Sequence, residues 1–85
     1  MKDIIVHSIS QIDLSDIRMP IFAVYDRPAD YPEHCIARLF DVDKPTNVIL
    51  RRSTVKEMQR YFRQTTLMFH PRDKGDPESL VGTWM

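Results

Sequence analysis

The sequence of 85 residues has little cysteine and little glycine, and each shortage excludes a class of protein. Its single cysteine, Cys35, has no partner for an internal disulfide, so the chain does not belong with the small secreted domains that disulfides stabilise. Gly75 and Gly82 are the two glycines of the sequence. A glycine-rich phosphate loop, a dinucleotide-binding fingerprint and a long flexible linker are therefore excluded.

A long apolar run and a net charge are also missing. Near the N-terminus the run Ile4–Val6 is broken at once by His7, so it is too short for the core of a signal peptide. No stretch approaches the roughly 20 apolar residues that span a membrane. We therefore expect a soluble cytoplasmic protein with no membrane partner. Basic and acidic side chains balance at 12 each, whereas nucleic-acid-binding domains are usually strongly basic.

What the sequence does have is a series of β-prone segments. The apolar run Ile21–Tyr25 predicts a strand in the interior of a sheet. Cys35–Asp41 alternates between two faces and predicts a second strand, a turn follows over residues 41–46, and Asn47–Arg51 predicts the hairpin partner. Residues 3–9 favour an additional N-terminal strand, followed by an irregular or single-turn helical segment.

One helix is predicted after these strands. Thr54 is a suitable N-cap and Glu57 stands three residues later, which is the spacing of a capping box. The helix should end near Gln64, because the two threonines that follow are poor helix formers. An apolar stripe at helical spacing is expected to face the sheet, and it consists of Val55, Met58, Tyr61 and Phe62.

Two further strands are predicted after the helix. Thr66–His70 favours a fourth strand, and a turn-rich loop then leads to a last strand at Leu80–Trp84. In that last segment the alternation places Leu80, Gly82 and Trp84 on one face and Val81, Thr83 and Met85 on the other.

Together these segments predict a single α+β domain over residues 1–85. Its sheet should be small and mixed or mainly antiparallel, in the order β-β-β-α-β-β with or without an extra N-terminal strand, and one amphipathic helix should pack on one face. The opposite face must then be solvated, or covered by the N-terminal segment or by a second subunit. A homodimer is for this reason one of the expected alternatives.

The strongest charged feature is a basic segment between residues 51 and 63. Lys56, Arg60 and Arg63 have the spacing i, i+4 and i+7, so they line one edge of the predicted helix. Such an edge can contact a track of phosphates, although a solvated helix face is the commoner meaning of such a pattern. The candidate nucleic-acid contacts are Arg51, Arg52, Lys56, Arg60 and Arg63.

Residues that could carry catalysis or bind a metal are few. His34 and Cys35 are adjacent, so in a strand they point to opposite faces, and no Cys-x-x-Cys or His-x-x-x-His spacing adds further ligands. Cys35 as a nucleophile would need a base, for which His70 is the one distant candidate, and a buried core cysteine is the simpler interpretation. We expect no metal site, no cofactor and no enzyme activity.

The best candidate for an interaction is the loop segment over residues 25–32. It is stiffened by Pro28 and Pro32 and carries aromatic side chains close to an arginine, a combination that is frequent in binding hot spots. The alternative is that its aromatic side chains fold down over a small core. The candidate partner-binding residues are Tyr25, Arg27 and Tyr31.

Several short turn and strand motifs lie between Met19 and the C-terminus: Val24-Tyr25-Asp26, Pro28, Asp30-Tyr31-Pro32, Ala37-Arg38-Leu39, Lys44-Pro45-Thr46, Asp76-Pro77 and Thr83-Trp84. In these motifs, over about three quarters of its length, the chain resembles small uncharacterised bacterial and prophage-borne proteins. The resemblance implies no activity. Residues 1–18 stand outside it as a variable N-terminal extension of a core over residues 19–85.

These features predict a non-catalytic protein-interaction or regulatory module that binds a protein partner. The alternative is a nucleic-acid-contacting accessory protein that uses the basic segment 51–63. Salt dependence distinguishes the two, because phosphate binding releases counterions and weakens steeply as salt is added.

Overall fold

A computed structural model describes residues 2–85 and has the α+β architecture that the sequence predicts: one helix packs on one face of a six-stranded sheet. The sheet has the strand order β1-β4-β3-β2-β6-β5, and neighbours are antiparallel except β1 and β4, which are parallel. The elements are β1 (Ile4–Val6), a 3-10 turn (Ile9–Gln11), β2 (Pro20–Asp26), β3 (Cys35–Asp41), β4 (Lys44–Arg52), α1 (Val55–Arg63), β5 (Phe69–Pro71) and β6 (Leu80–Trp84).

The β3–β4 hairpin is tighter than predicted. Its loop consists of Val42 and Asp43, and the predicted turn over residues 41–46 is wrong because Lys44 already pairs with the end of β3. The Thr46 hydroxyl donates a hydrogen bond of 2.7 Å to the Leu39 carbonyl, which keeps this segment against β3. Lysine, proline and threonine read as turn residues in the sequence, but here the proline sits in a strand, opposite Phe40.

The helix begins and ends as predicted. The Thr54 side chain accepts a hydrogen bond of 3.2 Å from the Glu57 backbone N–H, which is one half of the capping box and the half that the structure forms. Met58 and Phe62 are fully buried, and Val55 and Tyr61 pack at the margin of the same cluster, so the predicted apolar stripe is confirmed.

Phe62 is the centre of the core between α1 and the sheet. Its ring lies 5.3 Å from the ring of Phe22 on β2 and 5.5 Å from that of Trp84 on β6, nearly parallel to the latter. The Trp84 indole N–H donates a hydrogen bond of 2.8 Å to the Gln59 side chain, which satisfies its polar atom at the edge of the core. The buried residues of this cluster are Phe22, Val24, Cys35, Ala37, Leu39, Leu50, Met58, Phe62 and Trp84.

The N-terminal segment docks on the same side of the sheet as the helix. Its backbone is held by the parallel pairing of β1 with β4 and by a hydrogen bond of 2.8 Å from the Ile9 N–H to the Tyr61 hydroxyl. Its apolar side chains pack against the core beneath α1, and they are Val6, Ile9, Ile12, Leu14 and Ile17. The N-terminal segment was one of two alternatives expected to cover the face opposite the helix. Its apolar side chains pack on the helix side instead.

The strand predicted at Thr66–His70 is shorter and later, at Phe69–Pro71. The Thr65 hydroxyl donates to the Phe62 carbonyl and accepts from the Leu67 N–H, so the chain stays in a turn at the end of the helix before it can extend.

The face assignment predicted for the start of β6 is wrong at two positions. The register between β2 and β6 shifts between Val24 and Tyr25, which is a β-bulge that places Leu80 opposite Tyr25. Leu80 therefore lies on the sheet face away from the helix, while Val81 packs toward the core. Beyond the bulge the predicted alternation is correct, with Trp84 in the core.

We expect Phe62→Ala to lower the free energy of unfolding by about 4 kcal/mol, because it removes a fully buried ring that touches three other aromatic rings. The measurement is urea denaturation followed by circular dichroism. Phe62→Leu, which keeps most of the volume, should cost about 1.5 kcal/mol, and Met68→Ala, at a side chain 69% exposed, is the control. A change within about 0.5 kcal/mol for Phe62→Ala would contradict this view of the core.

Candidate functional site

The sheet face opposite α1, called here the open face, carries an apolar cleft. The cleft has a volume of about 310 Å³ and lies over β2, β3 and β6, near the centre of the sheet. It is a depression of a size at the lower end of what small ligands or anchor side chains of partners occupy. It is lined by Ile21, Ala23, Tyr25, Phe40, Val42, Asp43, Leu80, Thr83 and Met85.

Exposed apolar side chains are concentrated on the open face. Val42 and Met85 line the cleft itself, Met68 lies beside Met85 across the sheet, and alternation with Ile21 places Met19 on the same side. Of the six large hydrophobic residues most exposed among residues 2–85, only Ile4 lies on the helix side, because it pairs with Val48. The six are Ile4 (53%), Ile5 (39%), Met19 (47%), Val42 (47%), Met68 (69%) and Met85 (38%). Four of the six therefore lie in or near the cleft: Met19, Val42, Met68 and Met85.

The rest of the open face is covered by a polar network around Arg38. The guanidinium donates to the two carboxylate oxygens of Asp3 at 2.9 and 3.0 Å and to the Thr46 carbonyl at 2.9 Å, and it forms a longer ion pair of 3.5 Å with Asp30. The Tyr31 hydroxyl donates to Asp3 at 2.8 Å. The network therefore joins the N-terminal segment, the loop over residues 27–34 and β3.

The network fixes the ionisation of its members. The hydrogen bonds from Arg38 hold the pKa of Asp3 below its ordinary value, and the bond from Tyr31 acts in the same direction. Desolvation and the acceptor carboxylate of Asp3 raise the pKa of Tyr31. At neutral pH Asp3 is thus a carboxylate whose two oxygens accept hydrogen bonds from Arg38 and Tyr31, so the network serves as a clamp between these segments.

The three predicted partner-binding residues do not lie together. Tyr25 is half-buried in the cleft, where burial raises the pKa of its hydroxyl. Tyr31 is turned down into the polar network around Arg38, and it does not pack on the apolar core as the alternative interpretation of the sequence expected. Arg27 is exposed at the start of the loop, with a backbone φ of 49°. The structure therefore places Tyr25 between the cleft, where it lies with Ile21 and Phe40, and a smaller pocket that it shares with Pro28 and Asp30 of the loop.

The tip of the β3–β4 hairpin stands at one end of the cleft. Val42 is 47% exposed. Its φ of 58° is a left-handed backbone conformation, which is unfavourable for a β-branched residue. The Val42 N–H donates to the Met19 carbonyl at 3.0 Å, which fixes the tip to the start of β2. Asp43 and Lys44 are exposed beside it, and neither forms an ion pair with any residue in the described range 2–85.

The five residues predicted to contact nucleic acid do not form one surface. They lie on both faces of the sheet, and one of them is held against another side chain. Arg51 points to the open face, since it pairs with Ile36. Arg52 is held against Tyr61, with its guanidinium carbon 4.9 Å from the ring centre, and it donates to the His7 carbonyl at 2.7 Å. The three helix residues remain as an exposed row on α1: Lys56, Arg60 and Arg63.

Cys35 and the histidines do not converge. Cys35 is fully buried in the core beneath α1, where burial, with a smaller effect of Asp26, raises the pKa of its thiol to about 12. His70 is exposed on β5 and pairs with Thr83, so it belongs to the open face. Within residues 2–85 no group of three or more His, Cys, Asp or Glu residues is placed to hold a metal ion.

The cleft was not predicted from the sequence. The sequence analysis instead predicted an interaction site in the loop after β2. The available signal was β2 itself, which is apolar at Ile21 and Ala23 as well as at Phe22 and Val24. A strand that is apolar on both sides needs cover on both sides, and the helix supplies it on one.

No helix within residues 2–85 has the length and apolar character needed to cross a membrane. Comparison of the chain with protein-family models, with curated proteins and with solved structures gave no match. The function must therefore be argued from the residues of this chain.

We expect Asp3→Asn to lower the free energy of unfolding by about 1 kcal/mol at pH 7, because the amide cannot replace the charged acceptor of Arg38. The folded pKa of Asp3 lies below its ordinary value of 3.8, so the stabilisation is full above that pH and is lost as the pH falls through the folded pKa. Urea denaturation at several pH values from pH 7 to pH 2 measures the free energy of unfolding of the original chain and of the variant. Their stabilities should converge in acid; a difference that persists at pH 2 would contradict an electrostatic origin.

Proposed function

We propose that this protein is a non-catalytic interaction module that binds a protein partner through the open face. The observation that supports this proposal is the apolar cleft at the centre of the sheet together with the exposed apolar side chains around it. Apolar surface of this kind lowers its free energy when a partner removes it from water, at about 25 cal/mol per Å².

The composition of the cleft suits a protein surface. Phe40 and Tyr25 provide aromatic contact area, and the hydroxyls of Tyr25 and Thr83 provide polar groups at its rim. Aromatic side chains in a water-excluding pocket that is ringed by polar groups are the usual make-up of a binding hot spot. The cleft is a shallow depression open to solvent, and no buried charged side chain lines it, which disfavours a dedicated small-molecule site.

The edges of the sheet are poor alternatives for binding. Both edge strands, β1 and β5, are only three residues long, and Pro71 removes a backbone N–H from β5. A partner that added a strand at either edge would gain few main-chain hydrogen bonds. The open face is therefore a larger binding surface than either edge of the sheet.

Photo-crosslinking tests the proposal directly. A benzophenone amino acid at Met85, in the cleft, should give protein adducts when the tagged chain is irradiated in an extract of the source cells. The matched probe at Arg60, on the exposed side of α1, should give none. Phe40→Ser in the probe-bearing chain should reduce the Met85 adducts by about tenfold, since it removes the aromatic wall of the cleft. Absence of Met85 adducts, or equal adducts from both positions, overturns the proposal.

A second candidate is nucleic-acid contact through the helix, supported by the row Lys56, Arg60 and Arg63. These side chains are exposed, and none pairs with an acidic side chain in the part of the chain that the structure describes. Three phosphate contacts predict that affinity for single strands falls about twentyfold when salt rises from about 50 to about 200 mM.

The test measures binding to mixed-sequence DNA and RNA at those two salt concentrations. The double variant Arg60→Glu/Arg63→Glu should abolish binding, while Arg51→Glu, on the open face, is the matched control and should leave it unchanged. Lack of binding at low salt would remove this candidate, and equal losses from Arg51→Glu would show that the helix row is not the site.

A further inference from the structure

We propose that the β5 edge of the open face binds a soft monovalent metal ion, Cu(I), through Met68, His70 and Met85. This inference goes beyond the proposed function, because it assigns an ion to side chains beside the cleft and needs no protein partner. The spacing of cysteine and histidine in the sequence predicts no metal site, but methionine thioethers are metal ligands too. Strand pairing brings two thioethers and one imidazole to the same side of β5 and β6.

The two methionines lie directly opposite each other on neighbouring strands. The Met68 N–H donates to the Met85 carbonyl at 3.0 Å, and the Met85 N–H donates to the Met68 carbonyl at 3.1 Å. Residues that exchange both hydrogen bonds in an antiparallel ladder have Cα atoms about 5.5 Å apart and side chains on the same face. Both sulfur atoms are therefore within reach of one ion bound over the two strands.

The imidazole of His70 is the third donor on this face. His70 follows Met68 by two residues, so strand alternation directs both side chains to the same side. It pairs with Thr83, which precedes Met85 by two residues, so the imidazole and Met85 are diagonal neighbours. Diagonal neighbours in a sheet are about 7–8 Å apart, a distance that long side chains span. The three donors thus form a triangle, called here the Met–His triangle, in which one ion can contact all of them.

The backbone that carries the Met–His triangle is held from the core side. Phe69 lies between two of the donors in sequence and points into the core, where its ring centre lies 5.2 Å from that of Trp84. Gly82 allows β5 to lie close to β6, because a Cβ there would stand 2.5 Å from the His70 carbonyl oxygen and 2.6 Å from the Phe69 ring. The two strands are thus fixed relative to each other, which lowers the ordering cost when an ion binds.

The donors are open to solvent. Methionine is one of the residue types most often buried in folded proteins, yet Met68 is 69% exposed and Met85 is 38% exposed. His70 is exposed as well. An ion can therefore reach the Met–His triangle from water without any opening of the fold.

The chemistry of the donors selects the class of metal. Thioether sulfur is a soft ligand that favours Cu(I), and imidazole nitrogen also binds copper. Magnesium and calcium need oxygen ligands, and the Met–His triangle contains no carboxylate. Zinc sites use thiolate, imidazole and carboxylate groups, of which the triangle offers a single imidazole.

Competition with a chromophoric Cu(I) chelator, in the absence of oxygen, measures the affinity of the full chain. We expect the chain to bind Cu(I) and each of the variants Met68→Leu, His70→Gln and Met85→Leu to lose at least about tenfold in affinity, because loss of an outer-shell partner alone costs about 10–100-fold. These substitutions nearly conserve side-chain volume at exposed positions, so circular dichroism should show the original fold.

Three control variants separate the Met–His triangle from other sulfur and imidazole groups. Met19→Leu changes a methionine that is 47% exposed on the same face but lies at β2, two strands from β5. His7→Gln changes an exposed histidine next to β1, and Cys35→Ala removes the single, buried thiol. All three should bind Cu(I) as the original chain does.

Nuclear magnetic resonance with Ag(I), a redox-stable analogue of Cu(I), locates the ion directly. The methyl resonances of Met68 and Met85 should shift, while those of Met19 and the buried Met58 should not. Zinc at the same concentration should shift none of them.

Lack of Cu(I) binding, an equal loss of affinity in any control variant, or Ag(I) shifts spread over all these methionines overturns the inference. Each of these outcomes is distinct from failure of the proposed function, which is measured by protein adducts at the cleft and requires no metal. Conversely, a chain that binds Cu(I) at the Met–His triangle but gives no adducts would retain this site and lose the proposed partner.

Discussion

A single short helix has to cover a six-stranded sheet, and this constraint governs the rest of the structure. Nine helical residues extend about 14 Å, whereas six strands extend about 24 Å across. Phe62 therefore sits at the middle of the sheet, between Phe22 and Trp84, where one aromatic ring contacts several strands. The N-terminal segment fills the space that α1 leaves on that side, so the chain uses its apolar cover on one face.

The opposite face is divided into a closed half and an exposed half. Around Arg38, hydrogen bonds to Asp3 and the loop carrying Tyr31 close the sheet over β3 and β4. Over β2 and β6 the cleft stays open to solvent, and the bulge that turns Leu80 toward this face adds an apolar side chain to its lining. The polar network on one half of the face limits the extent of the apolar cleft on the other half. The fold itself therefore sets the size of the cleft.

Local signals in the sequence were sufficient for most of the fold and for little of the site. Thr54 and the stripe through Phe62 act within one helix, and the alternation of β3 acts within one strand, so each could be predicted from neighbouring residues. The pairing of Asp3 with Arg38 joins residues 35 positions apart, and the bulge opposite Tyr25 depends on the register between β2 and β6. Contacts of that kind are decided by tertiary packing, which a sequence pattern of period 2 or 3.6 does not encode.

The position of β2 has a consequence for the order of folding. Strand β2 pairs with β3 through a loop of eight residues, but its other neighbour, β6, comes more than fifty residues later in the chain. Contacts between residues so far apart form late, because a long loop must close first. Until β6 docks, the backbone of Ile21–Tyr25 is an unpaired edge in a strongly β-prone segment, and such edges recruit other chains into aggregates. The yield of folded protein at high concentration therefore depends on how soon the last strand reaches the middle of the sheet.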